Sequence, residues 1–460
     1  MRDPHRDHPL PTLTRRVTPW AAALVIVVTA AAALAQTAPA RHEVTLSEAL
    51  REIAAHSAAA VTAGLDLESV RELTTRARAS YYPTVVVSAG HVNRDHPVVA
   101  VFGALEAPTT QASFFTGELN VSQLLWDGGR RSAAVKATEH LASSTARQGE
   151  ADVRGVQFQG LRTYLEALSL RAQRHVVEER MASLQEHLRV AQDLYDHGVV
   201  ARNDLLQTEL RLRLVKDQAA QLDDAEATAL QKLNRLMGRS PDAPLALASS
   251  VGAPPPMPFT QTELAVRTTD ANRQLLALRA RLKAEEAALS FQRAEDYPTV
   301  VAEASHTYEE NRYLLYRNAN SVFLGISWKA YDGGVRRANQ RETDIAIAKT
   351  RQQLTDLRRE LAIVVDQAYR GYQQALREAA TAETNITAAE ENLRIEEDQY
   401  KAGLARTTEV LDAESVLAES RFALVAQHYN AYLQQGALVT AAGEDLPAFF
   451  AAVPPQPQEH

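Results

Sequence analysis

Three groups of residues in this 460-residue chain have the types and spacing that chemistry requires. His5 and His8 stand beside Asp3 and Asp7 in a metal-like set, but all four lie in the segment read below as a discarded leader. No His-Glu-x-x-His or other ligand cluster occurs among the remaining histidines, so no metal, cofactor or catalytic site is expected. Asp127-Gly128-Gly129 and Asp332-Gly333-Gly334 resemble phosphate-loop fragments. Neither is followed by Gly-Lys-Ser/Thr, so their expected work is turning a strand into a helix. Glu409 and Asp412, at i and i+3, place two carboxylates on one helix face. With 57 acidic residues in the chain, most such pairs are solvated helix surface. There is no cysteine, which removes disulfides, zinc-thiolate and iron–sulfur sites, and an acylated N-terminal cysteine anchor.

The composition, 45% hydrophobic and 23% charged, is globular. Arg15 and Arg16 precede an apolar stretch from Trp20 to Leu34, and Ala33-Leu34-Ala35 is a small-residue cleavage site, so residues 1–35 read as a signal peptide. The alternative, an uncleaved anchor, requires about 20 apolar residues. After Ala35 no comparable apolar run recurs, so a membrane segment in the mature chain would have to be a β-barrel. The net charge is −8, and removing four arginines and two aspartates with the leader makes it −10, which argues against a nucleic-acid partner.

The elements that position these residues emerge when the chain is compared with itself. Thr45-Leu46-Ser47-Glu48 recurs as Thr260-Gln261-Thr262-Glu263, and Tyr82-Pro83-Thr84-Val85 as Tyr297-Pro298-Thr299-Val300, both displaced by 215. The Asp-Gly-Gly signals, Tyr195 with Gly198 against Tyr400 with Gly403, and Met237-Gly238 against Ala442-Gly443 are displaced by 205. The ten-residue difference falls in a loop between the Tyr-Pro and Asp-Gly-Gly signals.

Each unit opens with a capping box and a helix running to the Tyr-Pro signal, where proline converts helix to extended chain. Alternation follows: Val85, Val87 and Ala89, then Phe115, Leu119, Val121 and Leu125, with counterparts Val300, Ala302, Ala304, Val322, Leu324, Ile326 and Trp328. Each unit thus supplies a hairpin of strands about 11 residues long, enough to cross an outer membrane when tilted. A soluble sheet alternates in the same way; long loops at 95–113 and 310–318 favour the barrel. Trp126 and Trp328 at the inner strand ends suit either an interfacial belt or a packed core.

Beyond Asp-Gly-Gly the period becomes helical. Leu354, Leu357, Leu361, Val364, Ala368, Tyr372, Ala375, Ala379, Ala382, Ile386, Ala389, Leu393 and Tyr400 form a coiled-coil seam. Gly198 and Gly403 can adopt the left-handed conformation that ends a helix, so each unit contains a very long helical hairpin with glycine near its tip. Four strands cannot close a barrel and eight enclose no water-filled passage, whereas three chains would give twelve.

The order of these signals, Leu46-Ser47-Glu48-Ala49-Leu50, the duplicated Tyr-Pro and Asp-Gly-Gly, then Tyr400-Lys401-Ala402-Gly403 and Glu409-Val410-Leu411-Asp412-Ala413-Glu414, resembles the TolC-like outer-membrane efflux proteins across nearly the whole mature chain. The resemblance implies a homotrimer with a twelve-stranded barrel in outer-membrane lipid and an α-helical periplasmic tunnel. It also implies docking onto a periplasmic adaptor and an inner-membrane transporter that supplies energy and selects cargo. By resemblance, Glu409 and Asp412 are gate positions at the tunnel entrance, where six converging carboxylates would attract cations. The first position is usually Asp in relatives, and Glu409 is one methylene longer. Adaptor docking is expected at the hairpin tips, around Gly198, Asp204, Leu205, Gly403 and Leu404. The expected division is signal peptide 1–35, first repeat 36–238 (strand hairpin about 83–126, helical hairpin 128–238), Pro-rich linker 239–258, second repeat 259–443 (strand hairpin about 298–331, helical hairpin 333–443) and tail 444–460. The competing reading is a periplasmic coiled-coil scaffold or adaptor without a pore.

Overall fold

The computed structural model describes residues 43–248 and 256–451. The expected leader, residues 249–255 of the linker and the tail beyond 451 lie outside the described residues. In chain order the elements are β1 (Glu43–Val44), α1 (Leu46–His56), α2 (Ala58–Ala79), β2 (Thr84–Asn93), β3 (Val99–Phe102), β4 (Leu105–Pro108), β5 (Ser113–Trp126), α3 (Arg130–Asp196) and α4 (Arg202–Leu236). There follow β6 (Ala246–Leu247), α5 (Gln261–Ala271), α6 (Arg273–Ala294), β7 (Thr299–Glu309), β8 (Asn318–Ser327), α7 (Val335–Lys401), α8 (Thr407–Ala441) and α9 (Leu446–Ala451). No helix among the described residues is long and apolar enough to cross a membrane.

Both capping boxes form. Thr45 N–H donates to Glu48 Oε2 at 2.8 Å while Thr45 Oγ1 accepts from Glu48 N–H at 3.3 Å, and Thr260 with Glu263 repeats both distances. The helix expected to run unbroken to the Tyr-Pro signal is instead two helices in each repeat. Ser57 and its counterpart Asn272 hold extended backbone, and their side chains accept amide protons that restart the helix: Ser57 from Ala60, Asn272 from Gln274 and Leu275. Both are residues whose side chains compete with the helical ladder and favour caps.

The strands form a four-stranded antiparallel sheet in the order β2-β5-β7-β8. Four strands per chain was the expectation; the described residues also hold the short strands β1, β3, β4 and β6, with β3 and β4 pairing as an outgrowth of the first loop. The two repeats meet at β5 and β7, leaving β2 and β8 as the edges. The loop after β7 is tied to the first repeat: Glu310 N–H donates to Phe115 O of β5 at 2.8 Å, and the fully buried Asn311 donates through Nδ2 to Thr109 O at 3.1 Å. The apolar strand face is open, with Val87 76%, Val322 85% and Ile326 75% exposed. At its inner end Trp126, Trp328, Tyr297 and Tyr331 are also exposed, so the two tryptophans are not core residues.

The Asp-Gly-Gly turns are built alike. Gly128, Gly129, Gly333 and Gly334 all have positive φ, which L side chains rarely adopt. Asp127 accepts from the amides of Gly129 (3.2 Å) and Arg131 (2.9 Å) and from Arg131 Nε (3.0 Å), and Asp332 accepts from Gly334 and Arg336 in the same way. The arginine two residues past the last glycine in each repeat was not read from the sequence. Its free guanidinium nitrogen reaches back to a carbonyl, Leu124 O for Arg131 and Glu295 O for Arg336, locking helix start to strand end or preceding helix.

Helices α3 and α7 are each 67 residues, about 100 Å at 1.5 Å per residue. The α7 seam runs through Val365, 2% exposed, and not through Val364. Spacings of three-then-four and four-then-three both connect Leu361 to Ala368, so periodicity alone does not separate the two valines. The tail expected from 444 begins with α9: Asp445 caps it, Pro447 occupies the first turn where its missing amide costs nothing, and Leu446 and Phe450 join a core with Leu50, Leu161 and Tyr432. Six residues are too short for their apolar spacing to stand out in a Pro-rich stretch.

Replacing Asp127, 5% exposed, strands the largely buried Arg131 guanidinium. Asp127→Ala is expected to lower unfolding free energy by about 3 kcal/mol, measured as a denaturant midpoint shift on the purified protein. A loss below about 0.5 kcal/mol, the scale of ordinary surface substitutions, would show the turn held by its glycines alone.

Candidate functional site at the hairpin tips

Each helical hairpin reverses over a glycine. Gly198 and Gly403 have φ of 75° and 72°, and the following amides, Val199 and Leu404, donate back to Leu194 O and Gln399 O at 2.8 and 2.9 Å. The next helix then starts with a carboxylate closing its own N-terminus: Asp204 Oδ2 accepts from Ala201 N–H at 3.3 Å and Glu409 Oε2 from Arg406 N–H at 2.8 Å. Glu409 therefore has structural work at the head of α8, matching its counterpart Asp204. Asp412, one turn on, is exposed.

The two tips are brought together. Gly403 lies close enough to the first tip that a Cβ on it would sit 3.7 Å from Val199 Cγ1. Beneath them Ala191 of α3, Leu393 and Tyr400 of α7, and Val410, Ala413 and Leu417 of α8 form one buried cluster, with Leu205 packed against it. Leu205 thus faces inward, whereas Leu404 is 81% exposed and Leu206, Leu210 and Leu214 form an exposed stripe along α4. That stripe has i, i+4 spacing and was present in the sequence, unread. Thr407 Oγ1 donates to Tyr400 Oη at 3.1 Å, and the His187 ring lies 4.7 Å from the Tyr400 ring.

Further from the tips a buried polar node joins the two hairpins. Arg180 of α3 and Arg211 of α4 both donate to Ser415 Oγ of α8, at 3.0 and 2.7 Å, and Ser415 donates to Leu411 O. Glu414, 4% exposed, lies 3.7 Å from Arg180 Nε, an ion pair beyond hydrogen-bond distance. Arg421 of α8 adds links to Glu179 of α3 and Glu390 of α7. Sequence reasoning singled out Glu409 and Asp412 and passed over Glu414; its signal was its place five residues past Glu409, on the buried side of α8.

Burial pushes the Glu414 carboxyl up to about 7, against the pull of Arg180 and Arg211 and with Glu397 adding to the rise. Burial, with Lys401 second, pushes His187 down to about 4. Among the described residues no group of three His, Cys, Asp or Glu side chains is placed to hold a metal.

A sequence model of the family described as outer membrane efflux protein matches residues 49–239 and 264–444. The chain is 24% identical over 375 residues to Protein CyaE of Bordetella pertussis, covering 80% of this chain and 77% of that relative. It is 23% identical over 349 residues to the outer membrane efflux protein BepC of Brucella suis, covering 71% of each. Among solved structures the fold is similar to the outer membrane protein VceC of Vibrio cholerae, with a TM-score of 0.75 at 18% identity, covering 87% of this chain and 96% of that one.

The Glu414 site fixes the sign of one pH dependence. A carboxyl whose folded pKa is raised binds protons more tightly when folded, so its stabilising contribution is complete below the unfolded value of 4.5 and is lost as pH rises through about 7. Glu414→Gln, which mimics the protonated form, is expected to raise the unfolding temperature at pH 8 and leave it unchanged below the unfolded value of 4.5. Equal effects at both pH values would remove the assignment.

Proposed function

The chain belongs to the outer membrane efflux protein family, and from that premise we propose that it is a passive outer-membrane exit channel that works as a homotrimer. The observation that carries this reading is the four-stranded sheet: it exposes its apolar face, ends in two unpaired edges and continues into 67-residue helices. An isolated sheet of this kind leaves main-chain groups unsatisfied in lipid, and three copies supply the twelve strands that close a water-filled barrel. The exposed aromatic residues at the inner strand end suit a membrane–water interface. The long helices of three copies form the periplasmic tunnel, and export is driven by an inner-membrane transporter reached through a periplasmic adaptor. The adaptor docks at the tips, where Val199, Leu404 and the Leu206, Leu210 and Leu214 stripe offer apolar surface. The cargo is a solute selected by the transporter; the chain itself carries out no catalysis.

The gate lies at the head of α8. Threefold symmetry brings Glu409 and Asp412 of each copy toward the axis, and because Glu409 is engaged by its own helix N-terminus, Asp412 carries most of the field.

The test is single-channel conductance of the mature protein in planar bilayers together with its mass in detergent. A trimer with discrete cation-selective openings is expected, with Asp412→Asn alone producing most of the selectivity change of the Glu409→Gln, Asp412→Asn pair. A monomer or dimer without conductance would replace the channel with the poreless periplasmic scaffold. A conducting trimer indifferent to both substitutions would keep the channel and discard the gate.

A further inference from the structure

The sheet edges carry more information than their being open, because the chain contains one copy of the junction it must make with its neighbour. β2 and β7 are equivalent at a displacement of 215, β5 and β8 at 205. Within the hairpins this equivalence holds residue for residue: Thr84 opposite Ser122 in β2–β5 becomes Thr299 opposite Ser327 in β7–β8, and Ser88 opposite Glu118 becomes Glu303 opposite Phe323. The remaining junction, β5 with β7, joins the second strand of one repeat to the first strand of the next. Its equivalent between chains joins β8 of one copy to β2 of a second copy.

We infer that β8 of one copy pairs antiparallel with β2 of the next in the register of the β5–β7 junction, placing Ser327 opposite Ser88. This rests on the barrel reading above and goes beyond it by fixing which residues meet. Carrying the observed pairs across gives the rest: Glu118 opposite Thr307 becomes Phe323 opposite Val92, Ser122 opposite Glu303 becomes Ser327 opposite Ser88, and Leu124 opposite Val301 becomes Lys329 opposite Val86. The faces agree, since Ile326 then meets Ala89 and Trp328 meets Val87 on the apolar side, while the serines meet on the other. A one-residue slip would exchange the faces on one strand; a two-residue slip would preserve them, so only the duplicated junction distinguishes the proposed register from its neighbours.

A second observation points to the same missing partner. β5 pairs with β2 only as far as Ser122, yet it continues as a strand to Trp126 because β7 holds Gln123, Leu124 and Trp126 opposite Ala302, Val301 and Val300. β8 pairs with β7 as far as Ser327, the counterpart of Ser122, and there it stops. Trp328, Lys329, Ala330 and Tyr331, the counterparts of Gln123, Leu124, Leu125 and Trp126 at the end of β5, belong to no strand. In the β2–β8 junction they gain Val87, Val86 and Val85 as neighbours, and β8 lengthens by the same four residues. The β5–β7 junction also carries an irregularity at Leu125, so the same offset is expected at Ala330.

Cysteine cross-linking reads the register directly, because the chain has no native cysteine and disulfides form only when Cβ atoms come within about 4.5 Å. Three double variants are made in the full-length protein in the outer membrane: Ser327→Cys with Ser88→Cys, with Val86→Cys, or with Gly90→Cys. Position 90 has open space for a side chain. After mild oxidation, the Ser88 pair is expected to give a covalent trimer in non-reducing gels in at least tenfold excess over either shifted pair. Preferential linkage of the Val86 or Gly90 pair would overturn the register and leave the trimeric barrel standing. No linkage in any pair would also overturn the register, and the detergent mass of the same samples then judges the barrel separately: three chains would retain it, one chain would remove it.

Discussion

The four-stranded sheet depends on one constraint, the need to satisfy main-chain hydrogen bonds along its edges β2 and β8. A sheet edge presents a row of free amides and carbonyls, which water satisfies in a soluble protein and hydrocarbon does not. Here the edge strands also carry exposed apolar side chains, Val87 on β2 and Val322, Leu324 and Ile326 on β8, so the edge and the face make the same demand. Within one chain β2 and β8 are paired on one side only, with β5 and β7. In the proposed trimer, assembly of further copies completes the sheet.

The helices face a different constraint. A helix of 67 residues cannot bury its seam in a compact core, so it must find a partner along its whole length. Alanine at Ala368, Ala375, Ala379, Ala382 and Ala389 keeps the α7 seam narrow, and larger residues cluster at the tip around Leu393 and Tyr400. Between the alanine stretch and the tip the hairpins are joined by charged side chains: Arg180 and Arg211 on Ser415, Arg421 between Glu179 and Glu390, and the buried Glu414 beside Arg180. Removing one partner of a buried pair of this kind would leave an uncompensated charge between the helices.

Much of this was legible in the sequence because duplication turned weak signals into paired ones. A lone Thr-x-x-Glu or Asp-Gly-Gly says little, whereas two of each in the same order marked both capping boxes, both turns, both strand hairpins and both tip glycines. What escaped reading had physical reasons. Ser57 and Asn272 break helices through side-chain caps whose residue types differ between repeats, so no identity flagged them. Val364 and Val365 satisfy the seam spacing equally. Arg131 and Arg336 act through long side chains that reach carbonyls in other elements, which spacing along the chain does not encode. Glu414 stands in the quoted acidic motif without a role of its own, because burial is a property of the assembled hairpins.

The repeats also serve as internal controls on the site. Features present in both are explained by what each unit needs to fold: the glycine at the tip, the carboxylate three residues into the next helix's first turn, and the Asp-Gly-Gly turn with its arginine. Glu409 belongs to this class, since Asp204 does the same work on α4. Asp412 does not, because its counterpart in the first repeat is the uncharged Gln207. Glu414 has a counterpart of the same type, Glu209, but that residue sits on a more accessible face within 3.9 Å of Arg213, while Glu414 is buried between helices. Both differences between the repeats fall on α8. At the turn of helix that bears Asp412 and Glu414 the second hairpin therefore carries an acidic residue and a buried carboxyl that the folding of a repeat does not require, since the first repeat builds the same turn with Gln207 and an accessible Glu209.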